Sequence, residues 1–249
     1  MSYSMTHLII ANEYLRNNPV ENPGLFLLAN ISPDCVHARN NFDKVMKEKS
    51  HYLQKNTEWG TIFEEEPMKL WYDSLRNFYF EHSSKITVCG DAFNTACRDF
   101  LDGYAMHILV DIFNCRLLYA PARKKYGSDL EAFRREYRNQ CLIWDYHLYR
   151  SYPENEKIFD LIQKESAVLP DSLEHILEKT GLSMVISADE VKSNLAYNID
   201  MYGQNKQEKL INEAYMITEE SSDYFIKYVG EQCNRLLYDF PEVGRLFKD

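Results

Sequence analysis

His107 and Asp111 stand four residues apart, so on a helix both side chains leave the same face. The neighbouring positions Phe100, Leu101, Tyr104, Ile108, Ile112 and Cys115 make that face apolar. A carboxylate buried alone on such a stripe is expensive to desolvate. Its compensation is either a hydrogen-bonded pairing with His107 or a bound metal ion. Three more residues bear on the choice. His7 lies on an otherwise apolar face with Ile10, Ala11 and Tyr14, Asp34 follows the buried run Gly24 to Ile31, and His51 sits in Lys49-Ser50-His51-Tyr52-Leu53. Three histidines and two aspartates at core-proximal positions make a nitrogen and oxygen ligand set suited to zinc, with manganese or iron as alternatives. His37 shares the Ser-Pro-Asp-Cys-Val-His segment with Asp34, which gives it either an acid role beside the site or a surface role.

The elements that must carry these residues read as helices. A first helix runs from about Thr6, a candidate N-cap, to Asn17 and stops before Pro19. The apolar run to Ile31 must break before Pro33, which leaves Asp34 on a loop. Helices follow around His51 (44–54), from Pro67 through the stripe Met68, Trp71, Leu75, Phe78 and His82, and from Gly90-Asp91 to Pro121. The last of these is apolar on nearly every side from Gly103 to Ala120 and is expected to be central and buried. A capping box at Ser128 to Glu131 opens a helix to about Tyr149. Further helices are expected at 155–168, 171–180, 187–202, opened by a second box at Ser187 to Glu190, and 219–238. With no useful strand-like alternation, no repeat and no linker, the chain reads as one all-α domain over 1–249, its helices beyond about 150 a potential elaboration.

Thr-His-Leu near the start, Ser-Pro-Asp about 27 residues on, Ser-His-Tyr-Leu, then Gly103-Tyr104-x-x-His107-x-x-x-Asp111 follow one another in an order that resembles the bacterial zinc-dependent phospholipases C. That all-α family is related to the fungal zinc-dependent single-strand nucleases. The resemblance covers His7 to about Asp111, a little under half the chain. It implies a multi-helix domain of that type, in which Asp34, His51, His107 and Asp111 hold one zinc and His7 a second, bridged by Asp111. Two departures from the family pattern stand out. The secreted phospholipases also ligate metal through the processed amino terminus, whereas His7 follows six residues with no processing signal. Their third zinc uses a further histidine and an H-x-x-x-E pair that this chain lacks, with Asp145 and His147 the nearest rebuilding material.

Composition narrows the alternatives. Nine Gly and eight Pro among 249 residues are roughly 7%, where average usage gives about 12%, so turn-dense β architectures are disfavoured. A net charge of -10 repels nucleic acid and anionic membranes. The glycine-rich nucleotide loops, the serine-hydrolase elbow and the H-E-x-x-H zinc motif are absent. The six cysteines are never closer than eight residues and read as small buried hydrophobes. His82 and His175 read as surface or helix-face residues. With no secretory opening and no apolar stretch of membrane-spanning length, the expectation is a cytoplasmic metal-dependent hydrolase of phosphate esters. It would act on a small phosphate ester or a lipid head group through a metal-activated water, with Asp34 and His37 assisting. A single-strand nuclease, or a noncatalytic metal-binding or interaction protein with a reduced site, is the alternative.

Overall fold

The computed structural model describes residues 4–55, 57, 62, 64–87, 90–168, 172–203 and 214–239. All regular structure among them is helical: α1 (Ser4–Asn17), α2 (Pro23–Ile31), a 3-10 segment (Ser32–Ala38), α3 (Lys44–Ser50), α4 (Glu65–Ser83), α5 (Ala92–Asn114), α6 (Ala120–Tyr126), α7 (Leu130–Ser151), α8 (Asn155–Val168), α9 (Ser172–Lys179), a 3-10 turn (Leu182–Met184), α10 (Ala188–Gly203) and α11 (Glu219–Asp239). No described helix is long and apolar enough to cross a membrane.

The all-round apolar composition of α5 has the expected result, since every residue from Gly103 to Asn114 is buried. α1, α2, α4, α9 and α11 pack around it. The closest approach is to α2, at Gly103. A Cβ there would lie 2.1 Å from the Phe26 carbonyl oxygen, so only glycine lets the two backbones meet. The helices beyond position 150 share this core through Ile158, Ile162, Ile176, Phe225 and Val229 rather than forming a body of their own. Five cysteines, Cys35, Cys97, Cys115, Cys141 and Cys233, are buried thiols. Cys89 lies outside the described residues.

Several local expectations need correction. The run after Pro23 is a helix, entered with proline in its first turn, and Asp34 sits on the 3-10 segment that continues it rather than on an open loop. The central helix does not end at Pro121. A π turn at Cys115–Tyr119, closed by the Ala120 amide on the Cys115 carbonyl, resets the ladder so that proline falls in a new first turn. Asp129, not Ser128, caps α7, because its carboxylate accepts from the Glu131 and Ala132 amides. The stripe that places Phe100 and Tyr104 inward also predicts Phe93 in the core, but Phe93 is 39% exposed. The box at Ser187 and Glu190 is present as read, with the Ser187 amide on Glu190 at 2.9 Å and the Glu190 amide on Ser187 Oγ at 3.3 Å.

A candidate metal centre

The five predicted ligands come from four segments: His7 from α1, Asp34 from the 3-10 segment, His51 from the C-cap of α3, and His107 and Asp111 from α5. Local structure aims each one. His107 follows Gly103 by one turn, and the close α2–α5 contact brings the Asn30 carbonyl to 2.7 Å from His107 Nδ1, while Asn30 Nδ2 donates to the Gly103 carbonyl at 3.2 Å. A carbonyl oxygen only accepts, so Nδ1 carries the hydrogen and Nε2 is left as a lone pair.

His51 is held through its backbone. The Trp71 indole donates to its carbonyl and the Tyr104 hydroxyl to that of Ser50, each at 2.6 Å. The helix then closes with Leu53 N on the Glu48 carbonyl and Tyr52 in the left-handed region at φ 54, a C-terminal motif that ordinarily uses glycine. The Tyr52 ring stacks on Phe78 with centroids 3.9 Å apart. His51 Nδ1 meets Ser50 Oγ at 2.9 Å.

α1 is fixed from outside. The Asp145 carboxylate accepts from the Thr6 amide at 3.0 Å and the Thr6 hydroxyl at 3.3 Å, and also from the Tyr202 hydroxyl, whose oxygen takes the Met5 amide at 3.1 Å. Thr6 is thus not a cap, as expected from sequence, but is itself capped by Asp145 of α7, while Tyr202 of α10 takes the Met5 amide. Asp145 therefore seats the helix that bears His7, and neither ligand triad among the described residues includes it. His147 is half-buried with its ring edge on Trp144. His175 is exposed, and His82 lies half-buried.

The outcome is a dense set of facing acceptors. His51 Nε2 lies 3.3 Å from His107 Nε2, 3.2 Å from Asp34 Oδ1 and 3.7 Å from Asp111 Oδ2. His107 Nε2 lies 3.9 Å from Asp34 Oδ2, and His7 Nε2 lies 3.6 Å from Asp111 Oδ1. The His7 and His107 rings stack with centroids 3.9 Å apart. Donors at ~2.0–2.2 Å around one tetrahedral zinc stand roughly 3.3–3.6 Å from one another, close to the 3.2–3.9 Å seen. Two triads could hold an ion, Asp34–His51–His107 and His7–His107–Asp111. They share His107, whose one remaining nitrogen can serve only one of them.

Electrostatics agree with a cation site. Burial works to raise both carboxyls, yet both are held well below the usual range, Asp34 chiefly by Lys47 and His37, and Asp111 with help from His7 and Lys47. Burial and the neighbouring ring of His7 push His107 well below the usual histidine value, which keeps it neutral and able to ligate. His37 Nδ1 stands 3.3 Å from Asp34 Oδ1. With side chains 41% and 23% exposed, His37 and Asp34 form the open rim of an otherwise closed cluster.

Sequence reasoning passed over Lys47. Its ammonium lies 3.3 Å from Asp34 Oδ1 with the side chain only 10% exposed, and Asp34 and Asp111 hold its charge against the cost of burial. The available signal was the four-residue spacing from Lys47 to His51, which puts both on one side of α3.

No family model matches the chain, and neither the curated proteins nor the solved structures include a significant match.

Proposed function

We propose that this chain is a metal-dependent hydrolase of phosphate esters, with zinc as the ion. The observation that carries the reading is the 3.3 Å approach of His51 Nε2 to His107 Nε2. With Nδ1 of His107 committed to Asn30, its Nε2 is a lone pair. Around it stand Asp34, Asp111 and His51, which can offer at most one hydrogen among them at neutral pH. So many inward acceptors in a buried space fit a cation better than one another. The ordered resemblance to the zinc-dependent phospholipases C supports the same assignment.

Asp34, His51, His107 and Asp111 would hold the ion, with His7 beside Asp111 at 3.6 Å. A bound divalent ion supplies Lewis acidity, lowering the pKa of a water and drawing charge from a phosphoryl group. The chain does the rest. Asn30 fixes the His107 tautomer, Ser50 orients the His51 ring, and the buried surroundings exclude bulk water. On the open rim, Asp34 and His37 form a carboxylate and imidazole pair that can take a proton from an attacking water and pass one to a leaving oxygen. Metal analysis of protein purified without chelator, followed by assays on chromogenic phosphate mono- and diesters with added zinc or manganese, tests this. The expected result is bound metal together with hydrolysis abolished in Asp34→Asn. Metal without turnover would favour a noncatalytic binding protein, and no metal at all would end the reading.

A further inference from the structure

Among the described residues, Lys47 places its ammonium against this cluster, and its position is built rather than incidental. α3 presents Lys47 and His51 from one side, with the His51 amide hydrogen-bonded to the Lys47 carbonyl at 3.0 Å. The Asp43 cap on the Met46 amide starts that helix, and Trp71 and Tyr104 hold its far end. The ammonium therefore reaches the rim carboxylate Asp34 from a fixed backbone, on the oxygen that also faces His37.

Formal charge limits what the site can accept. Asp34 and Asp111 bring two negative charges, Lys47 one positive, and the neutral histidines none. A single divalent cation would leave the cluster at plus one, open at the rim, while two would leave it at plus three around a buried ammonium. Moreover, the two triads compete for one His107 nitrogen. One metal ion with one ammonium is the arrangement this chain favours.

Resting on the metal-hydrolase reading above, we infer that Lys47 is the second cation of the site and binds a non-bridging oxygen of a doubly charged phosphate group, so that the site selects phosphomonoesters over diesters. With a metal drawing on the charge of Asp34, the Lys47 ammonium beside it would face an incoming anion at the rim. A dianionic phosphate can then place one oxygen toward each positive centre, whereas a diester has one negative charge fewer and two blocked oxygens.

The test uses the full chain loaded with zinc and two probes, inorganic phosphate and dimethyl phosphate. Metal content, melting temperature and probe affinity by calorimetry are measured on wild type, Lys47→Met and Lys47→Arg. The expected result is about one zinc per chain in all three proteins. Wild type should prefer inorganic phosphate by at least about tenfold, a preference that Lys47→Met loses and Lys47→Arg largely keeps, in line with a charge-assisted hydrogen bond. A Lys47→Met protein that keeps its metal and its preference overturns the inference and leaves the hydrolase reading standing. Loss of zinc in that variant also overturns it, since Lys47 would then serve the ligands rather than the anion. A wild-type chain that binds no zinc removes both.

Discussion

His51 and His107 point their Nε2 atoms at each other across 3.3 Å, while Nδ1 of His107 donates to the Asn30 carbonyl and Nδ1 of His51 meets Ser50 Oγ. Only a shared proton or a cation makes that approach favourable. Zinc at a hundredfold excess over its dissociation constant should therefore stabilise the fold by about 2.7 kcal/mol, and a chelator should reverse it. In His107→Ala the zinc-dependent rise in melting temperature should vanish. A rise that survives in this variant would place the metal elsewhere.

Asp111→Asn keeps shape and an acceptor oxygen but removes the charge. If Asp111 ligates metal, zinc content and any hydrolysis should collapse together. If it serves His7 and His51 only as a hydrogen-bond acceptor, the loss should be a modest ~1–3 kcal/mol of stability with zinc content unchanged. Metal stoichiometry and melting temperature on the two proteins decide between these.

The helical architecture was legible because long segments carry 3.6-residue stripes, and α5 announced its central place by being apolar on every side. The ligand candidates were legible because histidine and aspartate are conspicuous on apolar faces. What escaped was relational. Nothing in the apolar run singled out Asn30, although its carbonyl sets the His107 tautomer. Lys47 was passed over, because only the tertiary position of Asp34 brings a carboxylate to 3.3 Å from its ammonium. Asp145 looked like ligand material, because nothing local reveals that it would cap α1 from across the fold. The π turn at Cys115–Tyr119 that lets the chain continue past Pro121 likewise had no local signal.

Gly103→Ala tests the contact that aims His107. The added methyl would stand 2.1 Å from the Phe26 carbonyl oxygen, a backbone atom without an easy retreat. Separation of α2 from α5 should cost about 3 kcal/mol or more and should loosen the Asn30 bond to His107. Thermal unfolding should show the loss, and zinc affinity of the folded fraction should fall with it. A variant as stable as wild type would mean that the helices part without consequence.

Asp145 offers a test through pH. Burial raises its pKa to about 6, only partly countered by the Tyr202 hydroxyl and the amide and hydroxyl of Thr6. The value for an exposed aspartate is ~3.9, so the folded chain holds this proton more tightly than the unfolded one. Its contribution then favours folding fully below about pH 4 and is lost as the pH rises through 6, a change of about 3 kcal/mol. Asp145→Asn keeps an acceptor oxygen for Thr6 but cannot ionise. Other groups titrate in both proteins alike, so the difference in melting temperature isolates this one. The variant should gain on wild type steadily between pH 4 and pH 7, with zinc content unchanged if Asp145 only seats α1. A difference that stays flat across that range would show that Asp145 is ionised in the fold at pH 4, and loss of zinc in the variant would make the seating of His7 a condition for metal binding.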